Sequence, residues 1–115
     1  MANKFQIKNI DRCRLYNMQP IYGDLKTATD SKYLRYELID KLSEEQKEAR
    51  GISKNGLDQY EVTPEKANDK TDMTLSDESL SVFKSFINKT SAKKQVYYED
   101  SELFNQILAA EPTNL

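Results

Sequence analysis

The stretch Leu75 to Thr90, LSDESLSVFKSFINKT, constrains the fold more than any other part of the chain. It predicts a helix with a marked start. Ser76 suits the N-cap, because its hydroxyl can accept the unpaired N–H groups of the first turn. Asp77 and Glu78 follow where negative charge meets the positive end of the helix dipole. Leu75 and Leu80 occupy the two positions of a hydrophobic staple. At about 100° per residue, Leu80, Val82, Phe83, Phe86 and Ile87 sweep an arc of about 160°. An ordinary surface helix shows a narrower stripe. This side is therefore either the core, with helix 77–88 clamped between a long helix and a C-terminal one, or a partner or dimer surface.

A chain of 115 residues has room for one domain, 1–115, with a modest core. Apolar residues at 37% and charged residues at 31% describe a soluble, polar globule. No run approaches the roughly 18 to 20 apolar residues of a membrane span. The N-terminal MANKFQIKN lacks the apolar core of a secretory signal, so the expected location is cytoplasmic. Residues 1–56 hold 11 Lys/Arg against 8 Asp/Glu, and residues 57–115 hold 6 against 11, which gives +3 and −5 for the net −2. That asymmetry matches neither a basic nucleic-acid stripe nor an acidic nucleic-acid mimic.

KFQIKNI alternates Phe5 and Ile7 with polar residues and reads as a short strand. Asn9 is placed to cap a helix carrying Ile10, Cys13 and Tyr16, which ends or kinks before Pro20. The longest helix is expected from about Ser31 to Arg50, capped by Asp30. Leu34, Leu38 and Leu42 lie four apart on one side, with Ile39 and Ala49 widening the stripe. Glu37 precedes Lys41 by four, a favourable spacing. Gly51 follows as a left-handed terminator. Asn55-Gly56 marks a turn before a strand through Tyr60 and Val62, a candidate partner for Phe5–Ile7. TPEKANDKTDMT, residues 63–74, reads as a loop. KQVYY reads as a third strand through Val96 and Tyr98. EDSELFNQILAA reads as a closing helix with Leu103, Phe104, Ile107 and Leu108 on one side. The expected class is α+β, predominantly helical, with three to four helices and a small antiparallel sheet of two or three short strands.

The chemistry available is narrow. The chain has no histidine, which removes the commonest general base and metal ligand and excludes Ser-His-Asp and Cys-His arrangements. A single cysteine, Cys13, forms no internal disulfide, builds no ordinary zinc site with histidine absent, and reads as a small buried apolar residue. No glycine-rich phosphate loop is present. Asp69, Asp72, Asp77 and Glu78 lack the calcium-loop pattern. Asn88-Lys89-Thr90 matches a glycosylation sequon without a secretory context. Lys93 and Lys94 beside Tyr97 and Tyr98 suit base stacking or, equally, an amphipathic strand end. No cofactor is expected, and no enzyme.

Seven tyrosines and no tryptophan stand out. Tyr33 and Tyr36 fall on the side of the long helix opposite Leu34, Leu38 and Leu42, with Arg35 and Asp40 close enough to flank them. Tyrosine combines large contact area, little entropy loss and a hydroxyl, which makes it a frequent interface anchor. The alternative is that both rings lie on the 63–74 loop or on the N-terminal strand.

The order of elements resembles a group of small, uncharacterised accessory proteins encoded by tailed bacteriophages. The residues that carry it are the strand KFQIKN, then IDRCRLYNMQPIYGDLK, a charged helix ending EEQKEAR, the strand NGLDQYEV and the helix LSDESLSVFKSFI. The resemblance implies a phage accessory protein acting in the bacterial cytoplasm or built into the particle, and it supplies no activity or site residues. The expected function is protein binding that inhibits or redirects a host factor, such as a defence component, by occluding its surface. Tyr33, Tyr36, Arg35 and Asp40 are the expected contact residues. The alternative is a structural or assembly component of a phage particle, for which a homodimer or larger homo-oligomer is the expected state.

Overall fold

A computed structural model describes residues 3–19, 23–92 and 101–110. The architecture is α+β and mostly helical. Strand β1 (Asn3–Lys8) leads into α1 (Asn9–Asn17) and α2 (Leu25–Arg35). A π-helical turn (Tyr36–Asp40), α3 (Glu44–Ala49), β2 (Ile52–Lys54) and β3 (Tyr60–Val62) follow, then β4 (Lys70–Leu75), α4 (Asp77–Ala92) and α5 (Ser101–Ala109). β1 pairs with β4 and β2 with β3, as two antiparallel two-stranded sheets. The chain divides into two compact units, Ile7–Thr71 and Met1–Gln6 with Asp72–Leu115.

In the Ile7–Thr71 unit, α1 does not begin on an asparagine cap. Lys8 holds the N-cap position without a side-chain bond. The free N–H groups that every helix start presents are taken here by loop carbonyls. The Asn9 N–H donates to Asp69 O at 3.0 Å and that of Ile10 to Ala67 O at 2.9 Å. The buried Asn9 carboxamide donates to Lys66 O at 3.0 Å and accepts from the Thr71 hydroxyl at 3.2 Å. A side chain satisfied in this way is unavailable for capping.

The expected single helix over 31–50 is two helices joined by a wider turn. Its start lies earlier, because the Asp24 carboxylate accepts from Thr27 N–H at 2.8 Å, while Asp30 lies inside α2 and pairs with Lys26 at 2.9 Å. Leu34, Leu38, Ile39 and Leu42 are buried, as their spacing predicts. The turn opens at Tyr36–Asp40, where Lys41 N–H reaches back five residues to Tyr36 O at 3.0 Å. Glu37 pairs with Lys41 at 3.6 Å. Ser43 then restarts the chain as α3 with a capping box. Its hydroxyl accepts from Gln46 N–H at 3.1 Å, and the Gln46 side chain accepts from Ser43 N–H at 2.8 Å. α3 buries none of its residues, so Ala49 is exposed and does not widen the leucine stripe.

Gly51 ends α3 at φ +70°, and a Cβ there would meet the Thr63 hydroxyl at 2.5 Å. Only glycine satisfies both conditions. β3 pairs with β2, in the register Ile52↔Val62, Ser53↔Glu61 and Lys54↔Tyr60, and not with the strand of Phe5 and Ile7. The hairpin closes through Asn55 N–H to Gln59 O at 2.8 Å, and the Asn55 side-chain oxygen accepts from Leu57 and Gln59 N–H groups. Short loops favour such neighbouring pairing over a distant strand.

In the other unit, the expected 63–74 loop is only half a loop, since β4 occupies Lys70–Leu75. Met73 and Leu75 alternate inward with period two, as a half-buried strand requires. The buried Asn3 donates to Leu75 O at 3.4 Å and to the Asp77 carboxylate at 3.1 Å. Ser76 caps α4 as expected, accepting from Ser79 N–H at 3.2 Å. Leu80, Phe83 and Ile87 are buried and Val82 and Phe86 half-buried, so much of the wide apolar arc is core. Phe86 meets Phe104 of α5 edge to face, with centroids 6.3 Å apart. The expected strand through Val96 and Tyr98, and the Lys93–Tyr98 cluster, lie outside the described residues.

Candidate protein-contact surface

α2 separates its side chains by face. Leu34 and Leu38 point inward at 2% and 0% exposure, whereas Tyr33 and Tyr36 stand 44% and 53% exposed and Leu25, at the helix start, 85%. With each residue advancing about 100°, Leu25, Tyr36, Thr29 and Tyr33 fall within an arc of about 80°. Two aromatic rings and a leucine thus share one outward stripe along α2 and into the π-helical turn. Isolated exposed apolar residues are ordinary. Three of them aligned on one helix face form a patch.

Arg35, half-buried, and Asp40, exposed, meet at Tyr16. The Tyr16 hydroxyl donates to the Asp40 carboxylate at 2.8 Å, and the Arg35 guanidinium lies 5.2 Å from the centroid of the same ring. Burial first, and then the bond to Asp40, raises the Tyr16 pKa well above its ordinary value. Tyr60 packs edge-on against Tyr16 at 5.0 Å. Asn17 anchors Tyr60 in turn, its side-chain amide donating to Tyr60 O at 2.9 Å and its oxygen accepting from Tyr60 N–H at 3.0 Å. The Arg12 guanidinium donates to Leu38 O at 2.6 Å, inside the π-helical turn. Burial, and then the charge of Arg50, bring Arg12 down to about 10, so it stays a cation at neutral pH. These contacts fix the turn that presents Tyr36. Tyr16, Tyr60 and Arg12 escape a sequence reading because their partners lie 24, 44 and 26 positions away, and no local pattern joins them.

A groove of about 830 Å³ opens between α3 and the β2–β3 hairpin, lined among others by Lys47, Lys54, Tyr60 and Glu44. Two of its cations are already matched. Lys47 pairs with Glu44 at 3.3 Å and Lys54 with Asp58 at 3.8 Å, and both ammonium groups lie over the Tyr60 ring at 5.5 and 5.9 Å. Cys13 is buried, and burial pushes its thiol up to about 11, the reverse of what an activated nucleophile needs. Among the described residues no group of three or more potential ligands gathers around a metal position. No helix among them is long and apolar enough to cross a membrane. The chain matches no protein-family model, no curated protein and no solved structure.

Proposed function

We propose that this protein acts by binding another protein through the outward face of α2, with Tyr33 and Tyr36 as its anchors. The observation that carries the reading is the division of α2 itself. Leu34 and, in the turn that follows, Leu38 are taken by the core, while Leu25, Tyr33 and Tyr36 stay out, and the turn that carries Tyr36 is held by Arg12 at Leu38 O and by Tyr16 at Asp40. A preformed, rigid aromatic patch loses little conformational entropy on docking, which favours tight binding by a small protein. The chemistry on the chain points the same way: it has no histidine, and its one thiol is buried and unactivated. In the bacteriophage setting that the layout implies, the partner is a host protein, and occlusion of its surface is the mechanism.

The test is affinity capture from bacterial lysate with quantitative mass spectrometry, using the intact protein and a Tyr33→Ala/Tyr36→Ala variant. One protein retained in stoichiometric amount by the first and lost by the second is the expected result. Equal retention by both, or a large homogeneous oligomer of the protein alone in light scattering, overturns the reading.

A further inference from the structure

We propose that Asn55–Gly56, at the tip of the β2–β3 hairpin, is a site of spontaneous covalent modification, where the asparagine converts through a succinimide to aspartate and isoaspartate. The reaction needs a carboxamide carbon, a backbone nitrogen free to attack it, and donors for the negative charge that develops on the amide oxygen. The hairpin supplies all three. The Asn55 Oδ1 accepts from Leu57 N–H at 2.8 Å and from Gln59 N–H at 3.2 Å. The first of these bonds closes a ring that curls the side chain over the Gly56 peptide. Together they set two donors on the oxygen where charge develops, the arrangement that stabilises a tetrahedral intermediate. The Gly56 N–H donates no hydrogen bond within the described residues, and neither does the Asn55 Nδ2 that must leave. Gly56 is exposed and has no side chain to obstruct the attack.

Of the eight asparagines in the chain, only Asn55 precedes a glycine. After Asn9, Asn17 and Asn68 the nitrogen that would attack is already donated: Ile10 N–H to Ala67 O at 2.9 Å, Met18 N–H to Arg14 O at 3.2 Å and Asp69 N–H to Lys66 O at 3.2 Å. The side-chain amides of Asn3, Asn9 and Asn17 are donated as well, to Leu75 O, Lys66 O and Tyr60 O. At Asn55, hydroxide removes the Gly56 N–H proton, the nitrogen bonds to Cγ, and Nδ2 takes up a proton and leaves as ammonia. Water then opens the ring. Addition at Cγ gives aspartate, and addition at the Asn55 backbone carbonyl carries the main chain through Cγ as isoaspartate. Either product adds a negative charge beside Lys54, which pairs with Asp58 at 3.8 Å and lies over the Tyr60 ring at 5.9 Å. Isoaspartate also lengthens the turn, so conversion alters the hairpin that walls the groove beside α3.

The experiment is incubation of the purified protein from neutral to mildly alkaline pH. Peptide mapping by mass spectrometry follows amide-to-acid conversion at each asparagine, and an isoaspartyl methyltransferase assay detects the rearranged product. The urea-unfolded chain and a Gly56→Ala variant run in parallel. A Cβ at Gly56 meets nothing within 4 Å, and Gly56 is not in the left-handed region, so the variant keeps the fold. The expected result is conversion confined to Asn55 in the folded protein, with isoaspartate among the products and a rate that rises with pH. Gly56→Ala slows it by about tenfold or more. Asn55 left intact in the folded protein over the time that converts it in the unfolded chain means that the turn withholds Cγ from the Gly56 nitrogen, and overturns the proposal. Conversion without isoaspartate is direct hydrolysis of the amide and overturns it too, as does an unchanged rate in Gly56→Ala.

Discussion

Helices α4 and α2 each begin on a side-chain cap, Ser76 to the Ser79 N–H and Asp24 to the Thr27 N–H, yet they place their large side chains on opposite sides of the solvent boundary. α4 turns Leu80, Phe83 and Ile87 into the interior. α2 commits Leu34 to the interior and leaves Leu25, Tyr33 and Tyr36 in water. The wider apolar arc belongs to α4, but width does not mark a docking face. What marks one is an apolar residue that its own fold does not cover. By that measure α4 is a core helix with a half-buried rim, and α2 is a core helix on one side and an unmet surface on the other.

The largest effect that would break this comparison lies in α4. Phe83 is almost wholly buried, so Phe83→Ala should destabilise the protein by about 3–5 kcal/mol, through lost transfer energy and the cavity left behind. Urea unfolding with the slope held common reads it directly. A change under about 1 kcal/mol would mean that the α4 arc is not core, and the contrast with α2 would disappear.

Much of this was legible in the chain, and the exceptions share a cause. Ser76, Gly51 and the Leu34–Leu38–Leu42 spacing announce themselves because each acts within a few residues of its partners. The Ser43–Gln46 capping box was also written locally, as S-E-E-Q, but the charged run around it resembles an uninterrupted helix. Asp24 was obscured in a different way: LKTATD shows no apolar periodicity, so nothing in the pattern places the start of α2 ahead of Asp30. β4 was hidden where polar TPEKANDKTDMT runs into Leu75, and only Thr71, Met73 and Leu75 keep the period of two. The least legible contacts were the long-range ones. Asn9 looks like a cap and serves instead as a bracket for the 66–71 segment. Tyr16 joins Asp40 and Arg35 only once the chain has folded back on itself. The exposure of Tyr33 and Tyr36 could be read from the helical wheel, and the contacts of Arg35 and Asp40 with Tyr16 could not.

A smaller effect sharpens the comparison from the buried side of α2. Tyr16→Phe removes the hydroxyl that donates to Asp40 and should cost about 1 kcal/mol at neutral pH. Its pH dependence has a definite sign. The folded protein holds the Tyr16 proton more tightly than the unfolded chain does, because burial and the Asp40 bond disfavour the phenolate. The contribution is therefore fully present below the ordinary tyrosine value of about 10 and is lost as pH rises beyond it. The stability gap between the protein and the variant should hold constant from pH 6 to about pH 9 and narrow above about pH 10. A gap that widened there would mean that Asp40 is braced by some other group, and that the turn presenting Tyr36 is held differently.

The smallest effect is the sharpest test of the contrast. Tyr33→Ala and Tyr36→Ala should each change stability by no more than about 0.5 kcal/mol, the range of surface substitutions. Half-exposed rings have little packing to lose. What they do lose is offset by alanine, which favours a helix over tyrosine by a few tenths of a kcal/mol, roughly 0.5. The π-helical turn itself does not need the Tyr36 ring, since the bond that defines it runs from Lys41 N–H to the Tyr36 backbone carbonyl. Thermal or urea unfolding of the two single variants, measured beside Phe83→Ala, sets both helices on one scale. A loss above about 2 kcal/mol from either tyrosine would place its ring among the core side chains, leaving α2 no more available to a partner than α4. A loss near zero leaves both rings as surface side chains, as the proposed contact requires.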